Sequence, residues 1–223
     1  MKAVVINRYG SIDELTLVDL PTPPLKDGEV LVRNKYASVN PWDYRVRNGS
    51  MKMFTGKKFP KILGVESSGV VHRVGKKVEG FKKGDRVIVS TGIKTGSYAE
   101  YVAVSPGDLS ILPENLSFKE GATLPIAGTT AYNALHELGN IQKESKVLIN
   151  GAYGGVGIMA VQLASLAGAD VTAVCSTKPI EKVRKLGANT VIDYTTQDVY
   201  GIGEHFDLIF DTVGSLSFRQ AKA

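Results

Sequence analysis

The spacing of apolar residues along the chain separates two regions. Up to about residue 118, short runs rich in Val, Ile and Leu alternate with turn signals such as Asp27-Gly28 and Lys83-Gly84-Asp85. These runs predict strands over residues 2–8, 15–19, 30–36, 69–74 and 86–89. Short strands with regular punctuation indicate a barrel-like or sandwich-like β domain over residues 1–118.

One stretch of this first region predicts a helix. Asn40 is suited to the N-cap and Pro41 to the first helical position, and Asp43 complements the partial positive charge of the helix start. Gly49 follows where such a helix would stop. The pattern therefore places Asn40 at a helix start, from which a polar side chain can face a ligand.

The pattern changes near Leu116. Ser117 and Glu120 match a capping box, and the apolar spacing over 127–138 then predicts a helix. Beyond it, strands alternate with helices: strands over Lys146–Asn150, Asp170–Cys175, Thr190–Asp193 and 206–211, and helices over 155–167 and 179–186. This alternation indicates an α/β domain over residues 119–223, with helices on a parallel sheet of strand order 3-2-1-4.

A glycine-rich segment follows the first strand of the second region. It reads Gly151-Ala152-Tyr153-Gly154-Gly155-Val156-Gly157 and opens a predicted helix. Glycines allow the backbone to approach a pyrophosphate closely, and the helix start offers free N–H groups. Ala152 departs from the usual spacing, but the strand before, the helix after and the next strand supply the required context. The segment predicts a dinucleotide site; the alternative is a glycine-rich turn without a ligand.

The end of the next strand indicates which dinucleotide binds. An NAD site usually carries Asp or Glu there to hold the ribose hydroxyls. This strand ends instead in Ser176-Thr177-Lys178, which offers hydroxyl donors and a positive charge and no carboxylate to repel a 2′-phosphate. The expected cofactor is NADPH. The alternative for Lys178 is an ordinary exposed lysine.

Composition narrows the classes of partner. The net charge is +5, but the basic residues are scattered, so no nucleic-acid-binding patch is predicted. No apolar run approaches the roughly 20 residues of a membrane helix, and the N-terminus lacks the apolar core of a signal peptide. We therefore expect a cytoplasmic protein without a membrane or nucleic-acid partner. Cys175 is the single cysteine and the three histidines lie far apart, so no metal site is predicted.

Short motifs occur in a fixed order along essentially the whole chain. They are Ser38-Val39-Asn40-Pro41-Trp42-Asp43-Tyr44, Leu63-Gly64-Val65-Glu66, Gly84-Asp85-Arg86-Val87, Gly128-Thr129-Thr130-Ala131-Tyr132, the glycine segment, Leu186-Gly187-Ala188 and Phe210-Asp211-Thr212-Val213-Gly214. Together they resemble the medium-chain dehydrogenase/reductase superfamily, in its zinc-free quinone oxidoreductase and enone reductase branch.

This resemblance implies a GroES-like β-barrel domain followed by a Rossmann doubly wound parallel sheet, with the active site in the cleft between them. It also implies chemistry without zinc. Asn40 stands near the position of the ligand cysteine of the zinc-dependent members, and Val65 replaces their ligand histidine.

The resemblance also assigns site residues one by one. At the cofactor, it implies Asn40 and Thr129 near the nicotinamide, Gly154, Gly155 and Val156 at the pyrophosphate, Ser176, Lys178 and Tyr194 around the 2′-phosphate, and Thr212, Val213 and Gly214 beside the nicotinamide ribose. The alternative for Tyr194 is a strand-end aromatic without a ligand.

Two catalytic residues are expected, Asn40 and Tyr44. Tyr44 is a candidate proton donor, although its usual pKa near 10 makes water an equal candidate. The competing interpretation of Tyr44 is that its ring packs in the core beside Trp42.

The expected function is NADPH-dependent transfer of hydride, without zinc, to a small electron-poor quinone or α,β-unsaturated carbonyl. The alternative is a non-catalytic NADPH-binding module that acts as a redox sensor or interaction partner. A complete doubly wound domain has six strands and only four are predicted, so the resemblance implies a C-terminally truncated chain. We expect the chain either to self-associate into a homo-oligomer through the exposed edge of the strand over 206–211 or to be unstable and poorly soluble.

Overall fold

A computed structural model of the protein describes residues 1–221, which form two compact units. Unit 1 is Met1–Ile126 and unit 2 comprises residues 127–221. Unit 1 is built on antiparallel strands, and unit 2 on a parallel sheet with helices, so the expected α/β class with a Rossmann-type second domain is confirmed. The boundary after residue 118 stays a prediction.

Unit 1 contains two antiparallel sheets. Its strands are β1 (Lys2–Ile6), β2 (Thr16–Asp19), β3 (Val30–Ala37), β4 (Lys61–Ile62), β5 (Glu66–Val74), β6 (Arg86–Ser90), β7 (Tyr101–Val104) and β8 (Leu109–Ile111). The five-stranded sheet has the order β7-β3-β5-β6-β8, and the three-stranded sheet has the order β2-β1-β4. The five predicted strands are confirmed as β1, β2, β3, β5 and β6. The sequence does not predict β4, β7 and β8, because runs of two to four residues show too little alternation.

Buried valines hold the five-stranded sheet together. Val30 and Val32 of β3 and Val87 and Val89 of β6 are fully buried in one cluster, to which Val71 of β5 also belongs. Residues two apart in a strand face the same side of a sheet, so each pair presents its side chains to one core. The alternation that predicted these strands is therefore the pattern that forms the core.

Four α-helices belong wholly or partly to unit 1: α1 (Pro41–Arg47), α2 (Lys52–Thr55), α3 (Phe118–Gly121) and α4 (Pro125–Tyr132). The predicted helix start at Asn40 is confirmed, and the Asp43 carboxylate accepts from the Asn40 N–H in the first turn of α1. The capping box of Ser117 and Glu120 is confirmed at α3. The helix predicted over 127–138 begins slightly earlier, as α4, and ends in a π-helical turn, Asn133–Leu138.

Unit 2 follows the predicted alternation. Its elements are β9 (Lys146–Asn150), α5 (Gly155–Leu166), β10 (Asp170–Cys175), α6 (Ile180–Lys185), β11 (Thr190–Asp193), β12 (Leu208–Asp211) and α7 (Phe218–Ala221). The sheet is parallel in the order β11-β10-β9-β12, which confirms the predicted order 3-2-1-4. Because all four strands run the same way, the segments after them meet at one edge, where open α/β sheets bind ligands. Within residues 1–221, no helix is both long and apolar enough to cross a membrane.

Candidate functional site

The glycine segment forms the turn between β9 and α5. Gly151 has φ +78°, a left-handed conformation that favours glycine, and Ala152 is fully buried. Gly154 is the N-cap of α5, and its N–H donates to the carbonyl of Gly151 (2.9 Å). The exposed Gly154 and Gly155 therefore lie at the start of a twelve-residue helix, where the backbone N–H groups of the first turn lack helical acceptors.

Gly155 and Gly157 differ in whether packing inside the chain leaves room for a side chain. A Cβ on Gly157 would stand 2.1 Å from the carbonyl oxygen of Gly151 and 2.8 Å from the Cα of Ala152, so only glycine fits there. A Cβ on Gly155 would meet nothing within 4 Å, and Gly155 does not have a left-handed φ. Packing inside the chain thus requires Gly157 but not Gly155. The open space over Gly155 is what a pyrophosphate needs, so this cradle fits a dinucleotide.

The segment after β10 carries the expected phosphate-binding side chains. Ser176 is half-buried and Lys178 is exposed. Neither side chain has a hydrogen-bond or ion-pair partner among the residues that the structure describes, so both remain able to donate to a ligand. Tyr194, at the end of β11, is 58% exposed, and its backbone N–H donates to the carbonyl of Cys175 (3.1 Å). The end of β11 thus lies beside the end of β10.

The expectation that the Thr177 hydroxyl is available to a phosphate, with no carboxylate nearby, is wrong. Its hydroxyl donates to the carboxylate of Asp193 (2.5 Å), which also accepts from the hydroxyl of Thr195 (2.7 Å). These hydroxyl donors lower the pKa of Asp193, so this carboxylate stays ionised. A carboxylate therefore does lie at this edge, although not on β10, and the Thr177 hydroxyl is committed to it. The sequence could not show this, because the contact joins neighbouring strands.

Two further side chains flank the glycine turn, and the sequence did not single them out. Tyr153 is exposed within the turn, and Lys182 lies on α6. The Lys182 ammonium donates to the Tyr153 hydroxyl (3.2 Å) and stands 5.6 Å from the centre of its ring. The one signal in the sequence that could have indicated this contact is Tyr153, an aromatic residue inside a glycine-rich turn.

Asp211 organises the segment after β12. Its carboxylate accepts from the N–H groups of Val213 (3.0 Å), Gly214 (3.0 Å) and Leu216 (2.7 Å) and from the Asn150 amide (2.8 Å). Burial opposes ionisation, but these donors hold the pKa of Asp211 below its ordinary value.

The residues expected beside the nicotinamide ribose follow Asp211. The Thr212 hydroxyl donates to the carbonyl of Asn150 (2.8 Å), which ties the end of β12 to the end of β9. Val213 and Gly214 are exposed next to it. The structure therefore places Thr212, Val213 and Gly214 at the same sheet edge as the glycine turn.

In unit 1, a buried carboxylate fixes the side chain of Asn40. The sequence indicates no role for this residue, Glu66, beyond its place in a motif. Glu66 is 1% exposed, and one of its oxygens accepts from the Asn40 amide (2.8 Å) and from the Ser38 hydroxyl. Its other oxygen accepts from the N–H of Ile126 (2.7 Å). The Asn40 amide also donates to the Ser38 oxygen (2.9 Å), so both of its N–H groups point into unit 1. Asn40 can offer its carbonyl oxygen to a ligand, but not a donor for an oxyanion.

A second buried carboxylate fixes the backbone of Asn40. Asp43 accepts from the Asn40 N–H (2.7 Å) and from the Tyr98 hydroxyl (2.9 Å). Burial raises the pKa of Asp43, although these two donors oppose the shift. Burial and the neighbouring Asp43 in turn raise the pKa of Tyr98. Asn40 is thus held through its side chain by Glu66 and through its backbone by Asp43.

Tyr44 and Thr129 are both exposed. Tyr44 is 47% exposed and its ring lies 6.0 Å from the Arg45 guanidinium carbon. The interpretation that Tyr44 packs in the core is therefore wrong, because Val46 and not Tyr44 occupies the buried face of α1. Thr129 is exposed on α4. The structure describes Asn40 and Tyr44 in unit 1 and the other expected site residues in unit 2.

The side chains near Asn40 do not fit a catalytic zinc. Zinc sites use Cys, His and acidic ligands, and a catalytic site needs three of them. Here an amide stands at Asn40 and the apolar, buried Val65 precedes Glu66. Within residues 1–221, no group of three or more His, Cys, Asp or Glu residues is arranged to hold a metal ion.

Two protein-family models match the chain. The model described as alcohol dehydrogenase GroES-like domain matches residues 26–114, and the model described as zinc-binding dehydrogenase matches residues 155–222. The first match lies in unit 1 and the second in unit 2, and together they cover most of the chain.

Curated relatives and a solved structure are similar to the chain over most of its length. A chloroplastic NADPH-dependent alkenal/one oxidoreductase of Arabidopsis thaliana is 36% identical over 96% of this chain and 58% of its own length. A chloroplastic quinone oxidoreductase of Triphysaria versicolor is 39% identical over 100% of this chain and 71% of its own. The quinone oxidoreductase structure from Coxiella burnetii has a TM-score of 0.90 and 36% identity, over 96% of this chain and 69% of that one.

Coverage differs among these relatives. The chain spans 57–58% of the length of some curated relatives and 70–71% of others. Both family models nevertheless match the chain, and some of the relatives are covered over more than two thirds of their length. The resemblance carried by the motifs is thereby confirmed, and the chain belongs to the quinone oxidoreductase branch of the medium-chain dehydrogenase/reductase superfamily.

Proposed function

We propose that this chain is an NADPH-dependent oxidoreductase that reduces quinones or α,β-unsaturated carbonyls without zinc. The observation that carries the proposal is the open space over Gly155 at the start of α5, which no internal packing explains. Ser176 and Lys178 at the same sheet edge supply unpaired donors for a 2′-phosphate. The names of the relatives, an NADPH-dependent alkenal/one oxidoreductase and quinone oxidoreductases, support the cofactor and the acceptor class.

The chemistry that such a cofactor supplies when bound is hydride transfer to an electron-poor carbon. The turn at Gly154, Gly155 and Val156 would bind the pyrophosphate, and Ser176, Lys178 and Tyr194 would bind the 2′-phosphate. Thr212, Val213 and Gly214 would lie along the ribose of the nicotinamide. The Asp211 carboxylate accepts from the N–H groups of Val213 and Gly214, which would lower the cost of ordering this last segment on binding.

Asn40 would act at the reacting end as an oriented acceptor. Its amide nitrogen faces Glu66, because the Glu66 Oε1 accepts from it (2.8 Å). Its carbonyl oxygen is then the atom that can hold an N–H or O–H of a ligand in place. The exposed Tyr44 hydroxyl is the candidate that would return a proton, with solvent water as the competing source.

The proposed activity is tested by following NADPH absorbance in the presence of a small enone and of a quinone. We expect both acceptors to be consumed, and NADPH to be used in preference to NADH. A chain that binds NADPH but oxidises it with neither acceptor would instead support the non-catalytic binding module.

Replacement of Lys178 by Ala should weaken NADPH binding and leave NADH binding nearly unchanged. Losing one charge-assisted contact costs about 1.5–3 kcal/mol, or roughly 10- to 150-fold in Kd. The matched control is Lys185→Ala, which removes the same charge from the last turn of α6. Dissociation constants from cofactor fluorescence decide the assignment, and equal affinity of the wild-type protein for the two cofactors would count against it.

Activity should be indifferent to metal chelators, because Asn40 and Val65 stand where zinc ligands would be needed. Incubation with EDTA or 1,10-phenanthroline followed by gel filtration should leave kcat/KM unchanged. Stoichiometric zinc by elemental analysis, lost together with activity on chelation, would overturn the zinc-free proposal.

A further inference from the structure

A cavity of about 510 Å³ lies within unit 1, beside α2. We call it the lysine cavity; it is bordered by α2, by the segment that leads into β4, and by the turn at Gly92–Lys94 and the two residues after it. Its volume falls in the range of cavities that hold small molecules, about 300–1,000 Å³. None of the candidate cofactor-binding or catalytic residues lines it.

Part of the cavity wall is apolar and exposed. Phe54 is 68% exposed and Ile93 is 60% exposed, and Ile62 also lines the cavity. Large apolar side chains that converge on one concave surface indicate a contact for an apolar ligand. The Phe54 ring centre lies 6.4 Å from that of Trp42, which is on α1 two residues after Asn40. The apolar wall is therefore continuous with the helix that starts at Asn40.

Three further lining residues are cationic. Lys58, Lys61 and Lys94 border the cavity, and no acidic residue does. Lys61 is held in place, since its ammonium donates to the carbonyl of Thr55 (2.7 Å) and stands 5.0 Å from the centre of the Phe59 ring. The Lys61 charge therefore has a fixed position.

The other two lysines are available to a ligand. Lys58 has no hydrogen-bond or ion-pair partner within residues 1–221. Lys94 forms a single exposed ion pair with Asp108 at 3.6 Å, an arrangement that contributes little. Two exposed ammonium groups thus stand beside that of Lys61, which is held by the Thr55 carbonyl.

We propose that the lysine cavity binds the carboxylate end of an aliphatic substrate, with the apolar chain of the substrate along Phe54 and Ile93. The cationic and apolar parts of the lining complement the two parts of such a molecule. That this ligand is the substrate rests on the proposed function. The substrate class is then an enone or quinone that carries an aliphatic chain with a terminal carboxylate.

The binding step can be tested without cofactor. Equilibrium dialysis of the full chain with radiolabelled decanoate should show one saturable site per chain, and dialysis with decan-1-ol should show at least about tenfold weaker binding. Trp42 is the single tryptophan, and its contact with Phe54 means that decanoate should also change its fluorescence. Absence of saturable decanoate binding, or equal binding of decanoate and decan-1-ol, would overturn the proposal.

Charge removal locates the site. The double variant Lys58→Gln/Lys94→Gln should lose about tenfold or more in decanoate affinity while its affinity for decan-1-ol stays unchanged. The control, Lys143→Gln/Lys146→Gln, removes two lysine charges from unit 2 and should bind decanoate like the wild type. Equal loss in both double variants would show a nonspecific charge effect and would contradict the cavity.

The link to substrate is tested separately, with two enones that differ only in a terminal carboxylate or its methyl ester. The wild type should prefer the carboxylate in kcat/KM, and Lys58→Gln/Lys94→Gln should abolish the preference without slowing the ester. Equal use of both enones would overturn the substrate assignment. Failure of the proposed function is distinct from failure of the cavity, since a chain without NADPH oxidation would still bind decanoate.

Discussion

Replacement of Gly155 by Val should abolish dinucleotide binding and leave the fold intact. The new side chain would enter the open space at the start of α5, where the pyrophosphate would lie. Nothing in the chain opposes it, and a helix tolerates Val better than Gly. We expect the Kd for NADPH to rise by about 100-fold or more, equal to about 2.7 kcal/mol, in a fluorescence titration. The melting temperature should stay within about two degrees of the wild type.

The matched control is Gly157→Ala, two residues further along the same helix. Its added methyl group would overlap the carbonyl of Gly151, so unit 2 should lose about 1–3 kcal/mol or more of its free energy of unfolding. A thermal melt followed by circular dichroism separates the two variants. A stable Gly155→Val protein that binds NADPH like the wild type would remove the glycine turn from the cofactor site.

Sequence reasoning succeeded where the cause of a structure is local. The strand and helix alternation of unit 2 depends on apolar spacing within each segment, and the start of α1 depends on Asn40, Pro41 and Asp43, which are neighbours. The turn between β9 and α5 was found for the same reason. Such features carry their chemistry within a few residues, so a single sequence contains it.

The contacts that sequence reasoning missed join distant residues. Asn40 and Glu66 are 26 positions apart, and Thr177 and Asp193 are 16 apart on neighbouring strands. Both carboxylates look ordinary in the sequence, and only the fold shows that one fixes the candidate catalytic amide and the other removes a candidate donor. The exposure of Tyr44 was missed similarly, because an aromatic residue in a short helix has no signal for which face is covered.

Replacement of Glu66 by Gln should lower kcat/KM by about 100-fold and raise the Kd for NADPH by much less, under about tenfold. Three donors point at the two carboxylate oxygens, and an amide can accept at only one end. In one orientation, the NH₂ of the new amide faces the N–H of Ile126, so two donors oppose each other. In the other orientation, it faces the NH₂ of Asn40, and the Asn40 amide must rotate to accept from it. The glycine turn belongs to unit 2 and should bind the cofactor as before. A stability cost of about 1–3 kcal/mol for the mispaired group is expected and is measured in parallel.

A double-variant cycle separates a positioning role of Glu66 from a loss of stability. If Glu66 acts through Asn40, then Asn40→Ala combined with Glu66→Gln should reduce kcat/KM no further than Asn40→Ala alone, because the amide to be oriented is already gone. Ser38→Ala is the matched control, since it removes a neighbouring hydroxyl but keeps the bond between Glu66 and Asn40. Its kcat/KM should fall by less than about tenfold. Additive losses in the double variant would show that Glu66 contributes independently of Asn40 and would contradict the positioning role.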